Sequence, residues 1–206
     1  MGTKAALRST RGTGKSIYST GLRLWPLRRV RVWSRSPKNR QAFAQWASLL
    51  SGLDVEASDN PAQAVAGADL ICTVTSSRTP VLHGKDLSPG AHVNAVGASL
   101  PTARELDSEV VRRARLFVDR RESALNEAGD FLIPRAEGVI DDRHILGEIG
   151  EVALGRVKGR HSSDDITLFK SLGLAIEDVA SAHLVWREAE RLNVGMVIEL
   201  GGLREH

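Results

Sequence analysis

The sequence predicts an α/β fold built on a doubly wound parallel sheet, and three observations predict it. Short apolar strands alternate with helical segments along most of the chain. One of them, over residues 68–75, is almost continuously apolar, as suits a strand covered on both faces. The strands end in Ser, Thr, Gly or Asp, small polar groups suited to the ligand crevice at the carboxyl edge of an open α/β sheet.

By composition, residues 1–21 form a basic, poorly structured leader, residues 22–195 the folded domain, and residues 196–206 a tail. The first strand of the sheet is expected to be missing or degenerate, because residues 1–11 hold no run of β-branched apolar residues. Val30–Arg35 alternates apolar and polar side chains and is the first clear strand. Ser36 then supplies an N-cap and Pro37 a first helical residue, for a helix through Phe43, Trp46 and Leu50 that Gly52 ends. Residues 54–57 make a second strand, Asn60 and Pro61 open a short helix to Ala66, and the buried strand follows to Thr75. Residues 90–97 and 115–119 are strands, and residues 104–113 and 123–128 are helices. Residues 130–143 read as irregular and 145–154 as a helix. Residues 166–173 open a long amphipathic helix that ends near Gly195.

Composition narrows the function. The single cysteine, Cys72, excludes a disulfide framework and fits a reducing, cytoplasmic setting. No apolar run reaches the ~20 residues that span a membrane. The basic start lacks the apolar core of a secretory signal, although its Ser/Thr-rich, acid-free composition leaves a transit peptide open. With a net charge of only +3 and few aromatics among the early Arg and Lys residues, the chain is not expected to bind nucleic acid. The histidines show no ligand-like spacing and one cysteine cannot make a zinc site, so no metal is expected. His92, in an apolar strand, reads as a core or edge residue rather than a base.

Four places carry candidate chemistry. Gly12 and Gly14 match the start of a dinucleotide loop, whose glycines let the backbone approach a pyrophosphate, but Ile17 stands at the third small position. A flexible basic leader is the alternative there. The same stretch is a poor phosphate-binding P-loop, because Ser9 replaces its first glycine. Ser34 and Arg35 close the first clear strand without an acid. That favours the 2′-phosphate of NADP(H) over the bare ribose of NAD(H), against the alternative of a surface Arg beside a helix cap. Thr75 and Ser76, with Val96, Gly97 and Ser99, end two strands where a flat cofactor could lie against backbone; ordinary turn chemistry is the alternative. Glu127 and Asp130 flank a helix end near the same edge, or are simply a solvated cap.

Together and in order, residues 30–35, 93–99, 104–107, 118–119 with 127–130, and above all 167–173 followed by 176–178, resemble the ornithine cyclodeaminase/mu-crystallin family. The resemblance implies a Rossmann domain that binds NADP(H) or NAD(H), and hydride transfer between an amino acid and its imine or keto acid. By position it assigns Gly12 and Gly14 to the dinucleotide loop, Ser34 and Arg35 to the ribose, and Thr75 and Ser76 to the nucleotide side. Val96 and Gly97 fall to the nicotinamide side, and Ser171, Leu172 and Gly173 to the segment closing over the nicotinamide. Ser99 stands where ornithine cyclodeaminases carry an acid/base aspartate, which leans toward ketimine reductase chemistry and away from deamination of ornithine. Ser99 and Glu127 are the substrate-side candidates, and no catalytic residue is assigned. Family members carry a further domain with the substrate-binding cations and the interface of their homodimers, and the resemblance leads us to expect that domain to be absent from this sequence. A non-catalytic module for NADPH or a small ligand, or an inactive fragment, therefore stands as the alternative, and the oligomeric state stays unassigned.

Overall fold

The computed structural model describes residues 3–8 and 27–198, the former as a backbone strand. The chain divides into two compact units, Met1–Leu172 and Gly173–His206. Among the described residues, the first unit holds an all-parallel sheet of eight strands in the order β3-β2-β1-β4-β5-β8-β6-β7. The strands are β1 (Thr3–Arg8), β2 (Leu27–Val32), β3 (Val55–Ala57), β4 (Leu70–Thr73), β5 (His92–Ala95), β6 (Arg115–Val118), β7 (Ile145–Glu148) and β8 (Thr167–Lys170). The described helices are α1 (Pro37–Ser51), α2 (Pro61–Val65), α3 (Ser108–Arg113), α4 (Arg121–Glu127), α5 (Gly129–Ala136), α6 (Ile149–Ala153) and α7 (Ala175–Leu192).

Local chemistry sets the element ends. The Ser36 side chain accepts from the Asn39 N–H at 3.3 Å, Pro37 occupies the first turn, and Gly52 closes α1 at φ 69°. Asn60 caps α2 in the same way through the Gln63 N–H. Replacing Ser36 by Ala is expected to cost about 1 kcal/mol of stability in a urea titration, since one helix-end N–H loses its acceptor. Arg31, on β2, donates its guanidinium to the Gln63 and Ala66 carbonyls at the end of α2. This tie fastens the early strands to the helix beside them.

Two apolar clusters fill the unit. Phe43, Ala44 and Ala47 of α1 pack with Val30, Val32, Val55 and Cys72. Ile71, Val93, Leu116 and Leu168 from the strands pack with Val110, Val111, Ala124 and Phe131 from the helices. In the second unit, α7 ends on Asn193 in the left-handed conformation, and Ile176, Val179, Leu184 and Trp186 are exposed.

The α/β expectation holds, with five corrections. The first strand is present: β1 pairs with both β2 and β4, although its small Ala5 and Ala6 lack a β-branched signature. The supposed leader over 1–21 therefore contains a central strand. Helix α3 starts at Ser108, because the Asp107 carboxylate accepts from the Val110 N–H and ends the preceding extended segment. Residues 129–136 are helical despite Pro134. Residues 145–148 form β7 before the short helix α6, whose entry Glu148 and Glu151 box together. Residues 167–170 form β8, a strand between β5 and β6, and the long helix starts only at Ala175.

Candidate active site

The carboxyl ends of β4, β5, β6 and β8 gather most of the candidates. At the end of β5, the Val96 N–H donates to the Thr73 carbonyl at 2.9 Å, carrying the ladder one residue past the strand. The Gly97 N–H is shared, donating to Glu105 Oε2 at 2.8 Å and, more weakly, to the Thr73 carbonyl at 3.2 Å. The other carboxylate oxygen, Oε1, accepts from the Thr75 N–H at 2.5 Å. One carboxylate thus clasps both strand ends. A β-carbon on Gly97 would lie 2.2 Å from the Thr75 carbonyl oxygen and 2.6 Å from Glu105 Cδ, so only glycine permits this approach.

Glu105 is fully buried. Its carbonyl accepts from the Val81 and Leu82 N–H groups, and Leu106 forms a parallel bridge with Leu82. Its own N–H and that of Leu106 donate to Asp130 Oδ1 at 2.8 and 3.0 Å. Burial pushes the Glu105 carboxyl above the ordinary glutamate range, against the hydrogen bond from Thr75 that favours the charged form.

Asp130 in turn faces the Lys170 ammonium, with Nζ 3.3 Å from Oδ2, and both side chains are almost wholly buried. Lys170 also donates to the Ala95 carbonyl at 3.2 Å. Burial raises the Asp130 carboxyl, and the lysine opposes that shift. A polar chain therefore runs from β8 through α5 to the ends of β4 and β5.

A second carboxylate orders the next strand end. Asp119, buried just past β6, accepts from the Leu172 N–H at 2.6 Å and from the Ser171 hydroxyl at 3.3 Å. Ser171 and Leu172 are thereby fixed beside β6, whereas Gly173, at φ 88°, opens the second unit. Thr75 and Ser76 follow β4, and the Thr75 hydroxyl accepts from the Ser77 N–H at 3.1 Å.

The remaining candidates are spread out. Ser34 is half-buried and Arg35 exposed, in the turn between β2 and α1 rather than within the strand. Ser99 is exposed in the segment after Gly97, and Glu127 is exposed at the end of α4. Asp130, grouped with Glu127 by sequence, is no solvated cap but the buried partner of Lys170. Gly12 and Gly14 lie outside the described residues. Glu105 and Lys170 went unassigned as site residues. Their signal was a charged residue at a core position: Lys170 shares the inward period-two face of β8 with Leu168.

Other titratable groups serve the scaffold. His92 bonds Thr167 Oγ1 through Nδ1 at 2.8 Å and meets Asn94 Oδ1 at 3.2 Å, and burial lowers its pKa. Burial pushes the Cys72 thiol up to about 11, which keeps it unreactive. Among the described residues no cluster of His, Cys, Asp and Glu could hold a metal, and no helix is long and apolar enough to cross a membrane.

Residues 12–193 match the sequence pattern described as the ornithine cyclodeaminase/mu-crystallin family. The chain belongs to that family. Within the ornithine cyclodeaminase/mu-crystallin family, it is 46% identical over 171 residues to the ketimine reductase mu-crystallin of Macropus fuliginosus, covering 83% of this chain and 50% of that one. It is 38% identical over 178 residues to the delta(1)-pyrroline-2-carboxylate reductase of Colwellia psychrerythraea, covering 84% of this chain and 56% of the relative. The chain thus spans about half the length of the curated relatives it matches. The Thermococcus litoralis delta(1)-pyrroline-2-carboxylate reductase, solved with NADH and L-proline, superimposes with a TM-score of 0.91 at 36% identity, over 96% of this chain and 61% of that one. These family members are imine reductases by name, and the solved one holds a nicotinamide nucleotide.

Proposed function

We propose that this chain is the nucleotide-binding part of an NADPH-preferring reductase acting on a cyclic imine or on an amino acid and its imine. The observation that carries the reading is the paired end of β4 and β5, where Glu105 clasps the Thr75 and Gly97 backbones. A glycine that no side chain can replace lets the two strand ends close up beside the hydroxyls of Thr75 and Ser76. This is a rigid, small-residue edge of the kind a dinucleotide needs in an open α/β sheet. In this assignment Thr75, Ser76, Val96 and Gly97 hold the nucleotide, with Ser171 and Leu172 fixed by Asp119 on the nicotinamide side.

Bound NADPH would supply a hydride to the imine carbon while a proton goes to the imine nitrogen, giving amine and NADP⁺. The chain's own contribution is orientation and the exclusion of competing geometry. The exposed Arg35 beside Ser34, with no acid between β2 and α1, supports the preference for a 2′-phosphate. Ser99, in place of an aspartate, supports reduction over cyclodeamination of ornithine.

Titration with NADPH and NADH, following nucleotide fluorescence, tests both parts. NADPH should bind at least tenfold more tightly. Arg35→Ala should weaken NADPH by about tenfold to a hundredfold and leave NADH unchanged, as expected for one charge-assisted contact. Binding of neither nucleotide would remove the proposal, and tighter NADH binding would remove only the phosphate preference. Imine-dependent loss of nicotinamide absorbance separates a reductase from a binder without turnover.

A further inference from the structure

We propose that Glu105 is a positioning residue for the nucleotide, holding the ends of β4 and β5 at a fixed separation through its two carboxylate oxygens. The inference rests on the nucleotide crevice proposed above and adds a group that lies behind it. Three observations support it. The carboxylate is the sole side chain seen bonding both the Thr75 and the Gly97 N–H, at 2.5 and 2.8 Å, among the described residues. The backbone of Glu105 is itself immobilised on both sides, by Val81 and Leu82 through its carbonyl and by Asp130 through its N–H. And Asp130 is anchored by Lys170, whose ammonium also bonds the Ala95 carbonyl on β5. The strand end is therefore gripped from two directions by one connected set of buried charges.

A symmetric acceptor is needed for this task. Two N–H donors converge on one group, and a carboxylate has an acceptor oxygen for each. A glutamine offers one carbonyl oxygen and one NH₂, so one of the two backbone donors would face a donor. A protonated glutamic acid has the same defect on a smaller scale. The groups facing Glu105 are Thr73 and Thr75 from β4 and its extension and Asp130 from α5, with Lys170 of β8 beyond Asp130. Burial raises the Glu105 carboxyl. The folded state therefore holds the proton more firmly than the unfolded chain does. Protonation of Glu105 loosens the clasp, while this group's own contribution to stability grows as the pH falls through its raised pKa. A merely structural glutamate would change stability without moving the NADPH affinity of the folded protein.

The test uses the whole chain. Glu105→Gln should raise the Kd for NADPH about tenfold or more at a temperature where circular dichroism shows both proteins folded. In nucleotide-free wild-type protein, the amide proton resonances of Thr75 and Gly97 should titrate together above the ordinary glutamate range, and this shared inflection should vanish in Glu105→Gln. If the variant does not fold, the pH dependence of wild-type NADPH affinity decides instead: the affinity should weaken over the range in which the Thr75 and Gly97 amides titrate. Amides that stay still while the fold persists, or a folded variant binding NADPH within twofold of wild type, would overturn the inference. A wild-type protein that binds no nucleotide would instead overturn the function proposed above, whereas the amide titration reads the clasp independently of that function.

Discussion

Replacing Gly97 by Ala should disable the nucleotide crevice and destabilise the fold together. The new methyl would sit 2.2 Å from the Thr75 carbonyl oxygen and 2.5 Å from the Thr75 nitrogen. Neither is the mobile tip of a side chain. Relief requires the β4 and β5 ends to part, which breaks the shared grip of Glu105 as well. Overpacking of a well-ordered interior costs about 1–3 kcal/mol, and contact with backbone rather than side chain places this case at the upper end. That is a large part of a domain's ~5–15 kcal/mol. Urea titration should show a lowered midpoint at unchanged slope, and NADPH titration a loss of affinity beyond tenfold in the fraction still folded. A midpoint within experimental error of wild type would mean that the strand ends are looser than they look.

Lys170→Met should have the largest effect on stability. It leaves the Asp130 carboxylate buried with its cation gone, a change that typically costs about 3–5 kcal/mol. The double variant Lys170→Met with Asp130→Asn should recover a substantial share, because no isolated charge is left. The amide oxygen that Asp130→Asn retains can still accept from the Glu105 and Leu106 N–H groups. Denaturation midpoints of wild type, both singles and the double make a complete cycle. Costs that simply add would show that the two side chains do not act as a pair.

Much of the architecture was legible in the residues because local and global signals agreed. Ser36-Pro37 and Gly52 mark both ends of α1, and the apolar run ending at Thr75 marks β4. The misses share a physical cause, which is that tertiary position can override local propensity. Thr167–Lys170 is a four-residue run around Leu168 and Phe169 that suits a helix or a strand equally. Its neighbours β5 and β6 decide the matter. Pro134 reads as a breaker, yet it lies inside α5, where the packing of Phe131 against the core outweighs one lost N–H. At the candidate site, the crevice residues Thr75 to Ser76 and Val96 to Gly97 could be found, because strand ends announce themselves by composition. Glu105, Asp119 and Lys170 as a supporting frame could not. Their roles depend on pairings across 30, 53 and 75 residues of chain, so a local pattern can mark a charge at a core position but cannot name its partner.

The central place of β1 has a consequence for how the sheet assembles. Leu7 lies beside Val32 on one side and beside Cys72 on the other, so the earliest strand is the one that joins β2 and β3 to all the rest. The sheet can grow outward from β1 in chain order only as far as β3 on one side and β5 on the other. Closure then waits on β8, the last of the described strands, which must enter between β5 and β6; that is entropically slow and favours late cooperative joining. Until then β5 and β6 each present a bare parallel edge, the kind of surface on which partly folded chains pair with one another.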